Sequence, residues 1–401
     1  MSLTKLKEKS IDFNKILYTI TLVLILLRKY TISMLNEGTV PSIVLSLLFY
    51  ASIALLFIQF LLRKKHNATE LGLLLVACVL YVFTREGSIL TIILLSISII
   101  DIDDEYVVKS YIVTTCIFMV IAVLFGTFLP DFAQTMNAHY RTVGSDYVER
   151  QTFGFGNPNS TFLFMLPIYS GYIYLRFKKY NIYDMIILLL VTLFIYSKTM
   201  SRTGLMTIIG VLLVVEILRF VDLKKHKIIA NLFRLSPVIL LMLSLIISIM
   251  FANNPTLNSI LASRPRHWNS YLVTDGSLFT LFGNSYPPDM REIHPLDNSY
   301  IYILSMLGVV SLVFFISILC KGIDIFIKKD EKKYLSIVMI FVVYAFAENI
   351  LLEVGYNFTI FILVKHIIMN NSKYFTIKDI LNMIKNGEFS IKNRNRRLKK
   401  C

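Results

Sequence analysis

Eight arginines and one His-x-x-Asp-Asn run hold most of the chemistry this chain can offer. The arginines are Arg28, Arg85, Arg141, Arg150, Arg202, Arg264, Arg266 and Arg291. A guanidinium is a rigid fork that grips phosphate or carboxylate through two parallel hydrogen bonds. In His294-Pro-Leu-Asp297-Asn298 the imidazole can act as a general base near neutral pH. Asp297 or Asn298 could orient it or hold a hydroxyl; equally, one of them could cap a helix beside an ordinary surface histidine. Ser201-Arg202-Thr203-Gly204 sits between two apolar runs. Its arginine either snorkels to an interface or faces a pocket, and the tight turn with Ser and Thr favours the pocket. Arg264-Pro-Arg266-His267-Trp268 could meet a phosphate or a sugar, or could anchor the chain at a membrane interface.

Two further stretches matter. In the run from Arg150 to Asn159 (RQTFGFGNPN), Gly154 and Gly156 permit a tight backbone. Asn159 or Ser160 could cap the helix that follows. The free N–H groups at such an end attract anions, although the stretch also reads as a plain loop-to-helix junction. Glu348 lies inside an apolar run. A salt bridge to one of the arginines fits it better than catalysis does.

The elements that hold these residues are membrane spans. The 401 residues are 56% hydrophobic, and the apolar residues come in long runs. Runs of about 20 indicate transmembrane helices. The pattern predicts an all-α polytopic membrane protein of about twelve spans. They fall near 13–35, 41–62, 70–84, 88–104, 110–129, 157–175, 181–199, 203–220, 230–251, 299–319, 334–352 and 357–370. The chain reads as one integral membrane domain, with a loop region at 252–298 over the site and a basic tail at 371–401. The long loop should contain turns and short elements, and a smaller loop covers about 130–156.

Loops alternate between two sides. Of the 41 Lys and Arg, 31 fall on one side, only seven of them Arg; of the ten on the other, eight are Arg. The lysine-rich side is the cytoplasmic one, with both termini, and the arginine-rich side faces out across the plasma membrane. The net charge of +15 sits in short loops and tails beside spans. That pattern fits topology and anionic lipid, not nucleic acid. The N-terminal MSLTKLKEKSIDFNK leads into an apolar run without a small-residue cleavage site, so the first span is expected to be retained. Cys78, Cys116, Cys320 and Cys401 form no metal or disulfide pattern. No carboxylate cluster on the outer side suits a divalent cation, and no metal or cofactor is expected.

Taken together, GFGNPN before a span, SRTG between spans, and HPLDNSYIYILSMLG closing a long outer loop resemble the Wzy-type polymerases of O-antigen and capsular polysaccharide, within the O-antigen ligase-like superfamily. The resemblance covers about 110–355. An arginine–glycine spacing described in the outer loops of some members is missing: Thr152, Thr161 and Asp275 stand where the glycine would follow Arg141, Arg150 and Arg264. The resemblance implies a metal-independent glycosyltransferase on the outer leaflet. Its donor and acceptor would both be glycans on undecaprenyl diphosphate, and its pathway partners a flippase and a chain-length regulator. It implies that Arg202, Arg264 and Arg266 bind the donor diphosphate and that His294 activates the acceptor. Arg141, Arg150, Arg291, Asn159, Asp297 and Asn298 would hold substrate. A ligase of the same superfamily and a lipid-linked oligosaccharide flippase are the alternatives.

Overall fold

The computed structural model describes residues 3–36, 38–133, 139–143, 146–273, 279–287, 290–370 and 374–375; the side chains of 3–12, 139–147, 291–292 and 374–375 lie outside that description. Helix α1 (Leu3–Met34) packs on α2 (Ser42–Leu62). Strand β1 (His66–Asn67) leads into α3 (Ala68–Thr84), capped by the Asn67 side chain, which accepts from Glu70 N at 2.8 Å. Then come α4 (Ser88–Ser98) and α5 (Asp104–Phe128), the latter capped by Asp103. The loop expected near 130–156 contains an antiparallel hairpin of β2 (His139–Val143) and β3 (Asp146–Arg150), with Arg141 opposite Val148.

Helices α6 (Pro158–Arg176), α7 (Ile182–Thr199), α8 (Arg202–Phe220) and α9 (Lys227–Met250) follow. Within 252–298 lie the short helices α10 (Pro255–Ile260), α11 (Arg264–Val273) and α12 (Met290–Ile293). The chain closes with α13 (Ser299–Tyr302), a π-helical turn at Ile303–Leu307, α14 (Gly308–Lys329), α15 (Lys332–Tyr344) and α16 (Thr359–Met369). Strand β4 (Tyr374–Phe375) pairs with β1.

Among the described residues, seven helices are long and apolar enough to cross a membrane: Phe13–Met34 of α1, α2, α5, α7, α8, α9, and Ser299–Lys329. This is a polytopic membrane protein. Helices α3, α4 and α16 are apolar but shorter. Two of them, α4 and α16, are buried helices. α4 is buried at every position from Ile89 to Ser98, and α16 at nearly every position. A helix apolar all round belongs in the centre of a bundle. The long helices α2, α7 and α9 stand outside and turn large apolar side chains outward, Ile43, Leu190 and Ile228 among them. Such a surface matches lipid, not water.

Two expected spans are broken. The run expected as one helix over 334–352 is helical only to Tyr344; 345–358 is a buried chain of turns. Polar backbone at this depth must find partners inside the protein. Ser299 supplies several: its hydroxyl donates to Glu348 O and accepts from Ile350 N and Leu351 N at 2.8–3.1 Å. Asn298 donates to Phe346 O at 2.9 Å, and Asn357 to Leu351 O at 3.1 Å. The second break is at Gly308, with φ +82°. There the stretch at 280–284 crosses the π turn. Asn284 N donates to Ser305 O, and Val309 N to Thr280 O. A Cβ on Gly308 would lie 2.4 Å from the Gly283 nitrogen, so the two backbones meet only because both residues are glycine.

Candidate active site

The site lies at the end of the bundle where α8 begins and α7 and α9 end. The turn into α8 is built by SRTG. Met200 takes a left-handed conformation (φ 50°), and the Ser201 side chain caps α8 by accepting from Gly204 N at 3.2 Å. Gly204 lets α8 approach α6: a Cβ there would sit 2.3 Å from the Phe162 ring. The turn into α6 is built by GFGNPN. Gly154 has φ +87°, and a Cβ on it would lie 2.0 Å from Ala122 O. Gly156 N donates to Ser33 O on α1. Asn157, not Asn159 or Ser160, is the cap, with Pro158 at the first helical position, where a missing N–H does no harm. That leaves Asn159 for another partner: its Oδ1 accepts from Arg150 at 3.2 Å, while Arg150 Nε donates to Thr199 O at 2.7 Å.

A cavity of about 640 Å³ opens between these two helix starts, α11 and the broken 345–358 segment. Arg150, Asn159, Arg202, Arg264, His267 and Asp297 line its polar part. Met206, Thr207 and Gly210 extend it as a groove along one face of α8. Nothing lies within 4 Å of where a Gly210 Cβ would be. The chamber therefore joins a cationic mouth to a groove beside the lipid-facing surface, where Met206 is 70% exposed.

Arg264 is the buried centre. Its residue is 8% exposed, and Glu348 is 6% exposed. The guanidinium donates to Glu348 Oε1 at 3.1 Å, Asp297 Oδ2 at 3.2 Å and Thr203 Oγ1 at 2.6 Å. The expected salt bridge of Glu348 to an arginine is thus present. Both terminal nitrogens of the guanidinium are thus engaged by the protein, so Arg264 holds the walls of the chamber together and is a weak candidate for diphosphate. Its Nε, and the Nε1 of the buried Trp268, have no hydrogen-bond partner among the described residues. Arg202 is the opposite case. It lines the cavity, is exposed, and makes no hydrogen bond or ion pair among the described residues.

The histidine chemistry falls on a pair. His267 lines the cavity, one helical turn after Arg264; His294 stands behind it, Nδ1 to Nδ1 at 3.2 Å. Two imidazoles at that distance share one proton. Burial, then the neighbouring His294, then Arg266 and Arg264 push the His267 pKa below the ordinary value of 6.5, with Asp297 pulling the other way. Tyr271 fixes His294 by donating to its carbonyl at 2.7 Å. Sequence reasoning passed over His267. The signal exists, because residues three apart on a helix share a face, but the Pro-, Gly-, Asn- and Ser-rich composition of 252–298 points to turns and short elements and hides the helix over 264–273.

The remaining expected site residues go elsewhere. Arg266 is exposed and does not line the cavity; two residues from Arg264, it points away from it on α11. Asn298 is fully buried, and its side chain is engaged. Its Oδ1 accepts from Tyr300 N and Ile301 N as the cap of α13, and its Nδ2 donates to Ser244 and Phe346 O. The side chains of Arg141 and Arg291 lie outside the described residues. No protein-family model, curated protein or solved structure matches this chain.

Proposed function

We propose that this protein is a glycosyltransferase that extends a polysaccharide from undecaprenyl-diphosphate-linked repeat units at the outer face of the plasma membrane. The observation that carries the reading is the composition of one chamber. Arg202, whose guanidinium has no partner among the described residues, and His267, backed by His294, line one cavity whose groove runs down α8 beside the lipid surface. A lipid diphosphate needs a cationic mouth and an apolar path, and its departure needs positive charge where negative charge develops. The seven long helices, with α3, α4, α6, α15 and α16, would complete twelve crossings. The positive-inside rule then puts both termini in the cytoplasm and the chamber outside.

In this reading Arg202 binds the donor diphosphate, with Arg150 and Asn159 beside it. The acceptor hydroxyl attacks the anomeric carbon, the bond from that carbon to the diphosphate oxygen breaks, and the hydroxyl proton passes to His267. In the tautomer with His267 Nδ1–H donating to His294 Nδ1, the His267 Nε2 lone pair is free for that proton. His294 becomes a positioning residue, and Arg264 with Glu348 and Asp297 holds the wall.

The test is incubation of the purified protein with a lipid-diphosphate-linked repeat unit, the products run on a gel. A ladder supports polymerase; a single transferred chain supports the ligase of the same superfamily; translocation without elongation supports a flippase. Arg202→Glu should abolish the ladder in protein that still folds. Arg202→Lys should restore part of it, because charge returns and the fork does not.

A further inference from the structure

A second cavity, of about 400 Å³, opens at the same end of the bundle, between α1, α2, α3 and the stretch at 352–354. Its cations are Arg28, Lys29 and Arg85. Lys29 is engaged: its ammonium meets Glu353 Oε2 at 2.7 Å and lies over the Tyr356 ring. Arg28 donates one N–H, from Nε to Leu45 O at 3.2 Å, and stacks near the Phe49 ring. Its two terminal nitrogens have no acceptor among the described residues. Arg85 takes the left-handed position that ends α3 (φ 58°) and donates its backbone N–H to Tyr81 O, but its guanidinium makes no hydrogen bond or ion pair among them either.

Three cations against two acids leave this cavity in excess of positive charge, and neither acid bonds to those two arginines, although Glu353 feels Arg28 as well as Lys29. Glu353 is held by Lys29, and Glu86 turns to Ser88, accepting from its N–H at 3.2 Å and its hydroxyl at 2.7 Å. Arg28 sits within the apolar stretch of α1, where an ionisable group is costly unless it has a partner. Four donors on two forks facing one cavity are suited to phosphate oxygens. The flanks carry exposed apolar side chains, Leu47 and Tyr50 on α2, Val82 and Phe83 on α3. Apolar flanks beside a cationic cavity suit an anion attached to a lipid.

One segment contributes to both cavities. Phe346 and Ala347 line the first, and Leu352, Glu353 and Val354 line the second, all on the one broken segment. We propose that the second cavity binds the diphosphate of the acceptor lipid while the first binds that of the donor. This rests on the polymerase reading, in which two lipid-linked molecules must be held together.

The test is stoichiometry, not turnover. The full chain in phosphatidylcholine nanodiscs is titrated with undecaprenyl diphosphate, and bound molecules are counted by native mass spectrometry. Two equivalents are expected. Arg28→Gln with Arg85→Gln should leave one, and Arg202→Gln should remove the other. If the Gln pair does not fold, Arg28→Lys with Arg85→Lys carries the test, and the second equivalent should bind about tenfold or more weakly. A single equivalent in the unaltered protein, or two in the folded double variant, overturns the proposal. Loss of the second equivalent in phosphatidylglycerol nanodiscs also overturns it, because the cavity would then take a bulk phospholipid headgroup. Two bound molecules in a protein that elongates nothing support this site and sink the polymerase reading instead.

Discussion

The chain buries a carboxylate against cations at both ends of its bundle, and the two clusters differ in what they leave unused. At the lysine-rich end Asp104 accepts from Lys365 Nζ at 2.7 Å, Tyr334 at 2.7 Å and His366 Nε2 at 2.9 Å, and Lys365 also donates to Ile102 O. Both carboxylate oxygens are engaged, and three helices, α5, α15 and α16, are tied together. At the arginine-rich end Glu348 and Asp297 share Arg264. In and around that trio, an Nε, an indole N–H and the guanidinium of Arg202 have no partner among the described residues, and a histidine pair stands with them beside a cavity. Buried charge alone does not distinguish scaffold from site. Donors left over beside open volume do.

The largest effects should be the same at both ends and should not involve chemistry. Arg264→Leu strands Glu348, and Asp104→Ala strands Lys365. Each should destabilise the fold by about 3–5 kcal/mol, read as loss of thermal unfolding temperature in detergent. If Asp104→Ala were neutral, the scaffold half of the comparison would fail. The next effect should separate the ends. Arg202→Ala removes an exposed side chain with no partner among the described residues, so stability should move by no more than about 0.5 kcal/mol. Turnover should fall about a hundredfold or more, because a preorganised cation at the leaving group is lost. Intact turnover would sink the assignment.

Gly210 tests the groove. Nothing stands where its side chain would go. Gly210→Leu should therefore leave the unfolding temperature unchanged or raise it, by relief of the helical glycine penalty of about 1 kcal/mol. Turnover should drop because the groove along α8 is filled. Unchanged turnover would mean that the lipid tail takes another path.

Much of this was legible in the sequence, and the gaps have physical causes. The positions of SRTG and GFGNPN at helix starts were readable, since Gly, Pro, Ser and Asn punctuate a chain locally. The Glu348 salt bridge was readable because an intramembrane acid needs a cation. The break after Tyr344 was hidden. Within 345–352 only Glu348 and Asn349 interrupt the apolar run, and the groups that hold the turns there, Ser299 and Asn298, are supplied from about fifty positions away. The same fact misassigned Asn298, whose buried amide works as a cap and a clamp. The second cavity was invisible because Arg28, Arg85 and Glu353 meet only when α1, α3 and the broken segment are packed together.

The smallest effect would sharpen the role of the histidine pair. His267 has its pKa lowered, so its neutral, proton-accepting form persists below the pH at which a free histidine charges. Turnover should fall on the acid side, with the limb below 6.5. Stability carries the same sign. As pH drops below 6.5 the unfolded chain takes up the proton first, so stability decreases until the folded-state pKa is passed and then levels off. Two substitutions should move the limb up. His294→Phe removes the neighbouring imidazole that opposes protonation of His267, and Arg266→Ala removes an exposed cation that acts on His267 from outside the cavity. The Arg266 shift should be the lesser of the two, since solvent screens an exposed charge. A limb that moves with neither substitution would take the proton off His267, and the base would then have to be sought among residues that do not feel those charges.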